Sequence, residues 1–259
     1  MVFFSLRGLA MKIQCNSKLL AFLGIFFFLV LCLPIQADTR LWSERKFDKT
    51  VLKIDRDLNR KRWQAVIKRS QKAIPQCIAR HTEHHQMCIV MLRNINQSYE
   101  QMRRFNPDHS QIKAAYILSS EVFGKTHSTT MKTREYYYKY LVFNEDYADA
   151  VPLVEEIIQI EEAGAGDEFR LMQRYNQLYA LQGLVENWPA EEAALTKVLS
   201  LAKEVMGEDS EDVRAAAEAL AHNYCIQNKY HEFFMLINEQ QLEVPASPNP
   251  VAKPDTTMS

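Results

Sequence analysis

The chain has 259 residues, of which 47% are apolar and 24% charged, with a formal net charge of −1. Those values suit a soluble globular protein with a sizeable buried core. Glycine occurs only 7 times, which argues against glycine-rich phosphate loops and sheet-and-turn architectures, because both need backbone freedom that glycine supplies at least cost.

At the N-terminus, Arg7, Lys12 and Lys18 precede an apolar run from Leu19 to Ile35, and Pro34, Ile35, Gln36 and Ala37 lead into the charged stretch Asp38-Thr39-Arg40. This is the layout of an export signal. The run of 17 residues is short of the roughly 20 that a bilayer-spanning helix needs. Residues 1–37 are therefore read as a signal peptide, cleaved in a periplasmic or secreted protein. The alternative is an inner-membrane anchor formed by residues 19–35. Met11 is a second candidate start, and Leu31 before Cys32 argues against lipidation.

From Asp38 onward the sequence repeats. Trp63, Phe105, Tyr147, Trp188 and Tyr230 are separated by 42, 42, 41 and 42 residues. Gly124, Gly166 and Gly207 keep the same beat, and near-identical phrases surround two of them: Glu121-Val122-Phe123-Gly124 and Glu204-Val205-Met206-Gly207. Two residue classes sharing one period predict about five structural units over residues 38–243.

Each unit has helical periodicity. Tyr147, Ala150, Val151, Val154 and Ile158 draw one apolar stripe, and a second follows at Val213, Ala216, Ala217, Leu220 and Tyr224. Glu208-Asp209-Ser210 offers capping oxygens before that second stripe. Each unit is thus a helical hairpin, and a hairpin buries its stripe only by stacking on its neighbours. The predicted fold is all-α, a right-handed α-solenoid of about five hairpins.

The pattern resembles the tetratricopeptide repeat (TPR) superfamily, in the 42-residue form found in kinesin light chains. The resemblance is carried by Leu220-Ala221-His222-Asn223-Tyr224-Cys225-Ile226-Gln227-Asn228-Lys229-Tyr230, by Tyr179-Ala180-Leu181-Gln182-Gly183, by Tyr147-Ala148-Asp149-Ala150 and by the glycine phrases. It covers about 39 to 242 and is weakest in the first unit, where Trp63-Gln64-Ala65-Val66 is the echo. It implies a superhelix whose first helices line a groove for a peptide or protein ligand, and it implies no catalysis. The family's groove positions fall on Asn94, Tyr136, Arg174 and Ala219, of which Asn94 keeps the family's asparagine. An amide at Asn94 could hold a peptide backbone and Arg174 a carboxylate; solvated helix residues are the plain alternative.

Several further residues are candidates. In Tyr136-Tyr137-Tyr138, with Tyr140 and Phe143, Tyr137 and Tyr140 fit the packing stripe, leaving Tyr136 or Tyr138 for recognition. Cys77 and Cys88 flank an expected turn near His81 to Glu83, where antiparallel helices could join them in a disulfide. Cys225 is expected to be a small buried apolar residue. His81, His84, His85 and Cys88 have spacings a metal would accept, but they straddle the turn and a disulfide would consume Cys88, so a polar loop is the reading preferred. No enzyme motif, cofactor or nucleic-acid partner is expected.

Charge is uneven: residues 38–113 hold 17 Lys and Arg against 8 Asp and Glu, and residues 114–259 hold 11 against 24. The basic stretch with Arg60, Lys61 and Arg62 suggests membrane contact or an acidic partner, and the electrical dipole suggests head-to-tail self-association. The final helix, carrying Phe233, Phe234, Met235, Leu236 and Ile237, is expected to leave an apolar side open, with Phe233 and Ile237 as partner or homodimer contacts. Prolines in 244–259 predict a flexible tail.

Overall fold

The computed structural model describes residues 41–164 and 167–242. The export signal, Gly166 and the proline-rich tail lie outside the described residues.

Among the described residues there are ten helices and no strand. They are α1 (Glu44–Asn59), α2 (Trp63–Arg80), α3 (Gln86–Gln101), α4 (His109–Phe123) and α5 (Ser128–Phe143), then α6 (Tyr147–Ala163), α7 (Glu168–Leu184), α8 (Trp188–Met206), α9 (Glu211–Ile226) and α10 (Tyr230–Gln240). All belong to one compact unit beginning at Glu44. Each helix packs on the next, giving five hairpins in series: α1–α2, α3–α4, α5–α6, α7–α8 and α9–α10. No helix among the described residues is long and apolar enough to cross a membrane.

The aromatic beat marks the entry to the second helix of each hairpin. Trp63, Tyr147, Trp188 and Tyr230 are the first residues of α2, α6, α8 and α10, and Phe105 lies in the loop before α4. Two positions earlier, the backbone repeats itself more strictly than the side chains do. Lys61, Arg103, Glu145, Glu186 and Asn228 all have positive φ, between 55° and 62°. The next N–H then reaches back to a carbonyl five residues earlier: Arg62 to Asp57, Arg104 to Tyr99, Asp146 to Leu141, Asn187 to Gln182 and Lys229 to Tyr224, all at 2.8–3.2 Å. A left-handed residue that closes this bond satisfies carbonyls orphaned at the helix end. The sequence signals it weakly, because glycine, the usual marker, is absent from all five positions and only Asn228 is a residue that favours this conformation.

Side chains cap the starts of α3, α4, α5, α7 and α9, whereas α2, α6, α8 and α10 have no side-chain cap. His85 Nδ1 accepts from Met87 N, and His127 Nδ1, 42 residues on, accepts from Thr129 N. Asp167 and Ser210 serve α7 and α9 in the same way, as expected for Ser210. Gly124 and Gly207 end α4 and α8 at φ of 85° and 88°. Of the two predicted stripes, Ala150, Val154, Ile158, Val213, Ala216, Ala217 and Leu220 are buried, while Tyr147, Val151 and Tyr224 are half-buried. Cys225, against the expectation of burial, is exposed, because it lies on the side of α9 opposite the packed Ala216-Ala217-Leu220 stripe.

Candidate partner-binding groove

The first helices α3, α5, α7 and α9 follow one another with clefts between them. Arg93, Gln97, Lys132 and Glu135 line one of about 160 Å³ between α3 and α5, and Asn176, Tyr179, Asp212 and Ala215 are among those lining one of about 100 Å³ between α7 and α9. Between α5 and α7 the cleft is about 290 Å³. Helices α3 and α5 are in contact, whereas α5 and α7 are not. Val154, Ile157 and Ile160 of α6 contribute the apolar lining, α5 contributes Met131, Arg134, Glu135, Tyr138 and Lys139, and α7 contributes Arg170, Arg174 and Gln177.

The α5–α7 cleft is rich in charge: Arg134, Lys139, Arg170 and Arg174 line it with Glu135 and Glu161, and Arg134 and Lys139 are ion-paired to Glu156 and to Glu100 and Glu135. Arg174 Nε lies 3.4 Å from Glu161 Oε1, and its Nη1 donates to Gln177 Oε1 at 3.2 Å. Arg170 is exposed and has no ion pair among the described residues. Glu161 Oε2 is buried without a hydrogen-bond partner, an acceptor that a bound N–H would satisfy. Tyr138 is half-buried, and burial raises its phenol pKa against the opposing pull of the Arg174 charge. The cleft therefore offers a flat amphipathic ring, two guanidinium groups and an unused carboxylate oxygen.

Of the sequence-predicted contacts, the structure brings Tyr138 and Arg174 into this cleft. The others lie elsewhere. Asn94 is only 3% exposed, and its Oδ1 accepts from Arg93 at 3.0 Å; it is Arg93, one residue earlier, that reaches across to Thr129 Oγ1 at 3.1 Å. Tyr136 is also 3% exposed. Its hydroxyl accepts from Asn106 N at 3.0 Å and its ring meets Phe105 edge-on. Burial pushes that phenol up to about 12, even though the Asn106 hydrogen bond pulls the other way. Tyr137 and Tyr140 are buried as expected. In α10, Phe233, Leu236 and Ile237 face inward, and Phe234 and Met235 are the exposed pair. The open apolar side predicted for this helix thus exists, on residues other than Phe233 and Ile237.

The support under the cleft has no counterpart among the sequence expectations. Arg134 is buried, with Nε 2.7 Å from Glu156 Oε2 in an ion pair whose N–H is not aimed along a hydrogen bond. Lys125 Nζ lies 2.9 Å from the other oxygen, Tyr116 donates its hydroxyl to Oε2 at 2.7 Å, and Arg134 Nη2 donates to Lys125 O. Four residues drawn from α4, α5, α6 and one loop thereby fix the cleft wall.

Cys77 and Cys88 are joined as a disulfide, with Cα atoms 5.8 Å apart, between α2 and α3. A ring nitrogen of His85 lies within 4.8 Å of both sulfurs, but a disulfide has no thiolate to offer a metal. The three histidines hold other posts: His85 caps α3 and stacks on His81, and His84 Nε2 lies 3.2 Å from Glu121.

Five hairpins, a 42-residue beat and a groove lined by first helices make the fold a TPR-like solenoid. No family model and no curated protein matches the sequence. Among solved structures, the chain is similar to a Podosopora anserina protein described as a kinesin light chain with nearly identical TPR-like repeats, at 11% identity and a TM-score of 0.49 over 76% of this chain and 93% of that one. A point variant of the same protein gives a TM-score of 0.48 at the same identity and coverage.

Proposed function

We propose that this protein is an exported, non-catalytic interaction scaffold that holds an extended or helical segment of another protein in the α5–α7 cleft. The observation that carries the reading is the convergence of Tyr138 and Arg174, from α5 and α7, on one cleft that also holds an apolar lining and Arg170, unpaired among the described residues. Rigid aromatic rings and arginines are the side chains that most often dominate protein recognition. Here Arg170 and Arg174 suit a carboxylate, Tyr138 and Ile157 suit an apolar side chain, and Glu161 suits a backbone N–H. The preferred ligand is an acidic segment with a neighbouring apolar or aromatic residue.

Export rests on different features: the basic-then-apolar N-terminus, and a disulfide of the kind that persists in oxidising compartments. The apolar run at 19–35 also supports a membrane-anchored scaffold, separated from the first reading by whether residues 1–37 are present in the mature protein.

Selection from a random peptide library on the purified protein tests the groove. Selected peptides are expected to be rich in Asp or Glu beside an apolar residue, and to lose at least about tenfold in affinity, or roughly 1.4 kcal/mol, on Tyr138→Ala or Arg174→Glu. Peptides that bind both variants as tightly as the wild type would remove the cleft assignment.

A further inference from the structure

The two ends of the solenoid carry the two halves of its own internal junction. Where the second hairpin meets the third, Phe105 packs edge-on against Tyr136 and Tyr140, with centroids 5.6 and 5.8 Å away. His109 lies 4.8 Å from Tyr140, and Arg93 donates to Thr129. Where the fourth meets the fifth, the same positions meet again with different chemistry. Trp188 O accepts from Asn223 Nδ2 at 3.0 Å, and Glu192 Oε2 accepts from Gln227 Nε2 at 2.7 Å.

Helix register extends these pairs to the ends. Tyr230 is the counterpart of Phe105 and Trp188, and Phe234 that of His109 and Glu192. In α1, Leu52 is the counterpart of Tyr136, Arg56 that of Tyr140 and Asn223, and Arg60, just past its end, that of Gln227. Tyr230 and Phe234 are each 57% exposed and Leu52 is 63% exposed, so the positions that close an internal junction are uncovered at both ends. The polar pair transfers as well. Arg93 corresponds to Glu218 and Thr129 to Arg45, which places opposite charges face to face, although Glu218 already holds Arg214 at 3.1 Å.

We propose that the chain associates head to tail with a second copy of itself, α1 of one molecule docking on α9 and α10 of the next as the first helix of a sixth hairpin would. Leu52 then covers Tyr230, the Arg56 guanidinium lies over the Tyr230 and Phe234 rings, and Arg45 meets Glu218. The long-range field favours the same orientation, since residues 38–113 carry net +9 and residues 114–259 net −13. Because the two patches differ, the contact is heterologous and leaves one patch of each kind open on a dimer, so assembly continues to a filament or a larger ring. This inference does not depend on the groove reading.

Sedimentation of the mature protein at rising concentration tests it. The wild type is expected to pass through dimer to larger species, with salt weakening the association. Leu52→Glu and Phe234→Lys each spoil one end and are expected to remain monomeric with unchanged helical content. Mixed together they retain one good end apiece and are expected to stop at a 1:1 heterodimer. A wild type that stays monomeric, as it would if residues 243–259 cover α10, overturns the proposal, as does a closed dimer or a mixture that stays monomeric while the wild type assembles. Cross-linking gives a second readout. Lys139 and Glu100 are ion-paired across the internal junction at 2.9 Å, and their counterparts at the ends are Asp55 and Cys225. Oxidised Asp55→Cys protein is expected to form a disulfide-linked ladder that Cys225→Ser abolishes; absence of the ladder counts against the register.

Discussion

Glu156 on α6 accepts the Tyr116 hydroxyl at 2.7 Å while its other oxygen meets Lys125, and the buried Arg134 guanidinium lies against the same carboxylate. Removing one partner of a buried pair leaves the other charge desolvated, at a cost of about 3–5 kcal/mol. Glu156→Ala is therefore expected to be among the most destabilising single substitutions in urea unfolding. Replacing Arg134 and Glu156 together by leucine is expected to cost distinctly less.

The same carboxylate sets a pH dependence. Burial works against its ionisation, but the Lys125 and Tyr116 hydrogen bonds and the Arg134 charge outweigh that and hold its pKa below the ordinary glutamate value. A depressed carboxylate pKa contributes stability that is fully present above the unfolded-state pKa and is lost as pH falls through the folded-state value. Thermal unfolding should show Tm falling on acidification below the ordinary carboxylate range, and Glu156→Gln should flatten that limb. An unchanged slope would show that other carboxylates set it.

Tyr136 and Tyr138 sit two residues apart and are expected to behave oppositely. Tyr136→Phe leaves Asn106 N–H buried without its acceptor and should cost about 1–3 kcal/mol while ligand affinity is retained. Tyr138→Phe should change stability little. Paired denaturation and binding measurements separate the two roles.

The Cys77–Cys88 bridge spans a sequence separation of only 11, so its stabilisation should be about 2–3 kcal/mol. Comparing unfolding with and without reductant checks this. The double variant Cys77→Ser, Cys88→Ser should match the reduced protein and be indifferent to reductant.

At Glu145 and Glu186 the backbone is left-handed, with φ of 62° and 57°, a conformation that costs a residue with a Cβ roughly 1–2 kcal/mol. Glycine relieves that strain but loosens the unfolded chain. Glu145→Gly is expected to stabilise by about 0.5–1 kcal/mol, and Glu145→Val to destabilise by more. Equal effects would mean that the turn relaxes.

The repeat is readable in the sequence because it is written in large residues: an aromatic at the entry to each second helix cannot drift without unpacking a junction. The cysteine pair is readable too, since a short turn between antiparallel helices brings both ends together. Phase around a helix is less legible. Sequence points to Asn94 where Arg93 crosses to α5, and to Phe233 and Ile237 where Phe234 and Met235 are exposed, because the tilt of each helix decides which of two adjacent positions is covered. The capping histidines are not legible for another reason: imidazole is an uncommon N-cap, so neither His85 nor His127 announces one. The Arg134–Glu156 pair leaves no local signal, as its members are 22 residues apart on different helices.

The central claim, that the α5–α7 cleft holds the partner, is tested most directly by site-specific photo-cross-linking in cells that produce the protein. A photoreactive phenylalanine analogue placed at Tyr138, at the exposed cleft-lining Met131, or at the exposed Gln159 on α6 reports what touches each position. One common cross-linked partner is expected at Tyr138 and Met131 and none at Gln159. Cross-links of equal yield at all three, or at Gln159 alone, would contradict it.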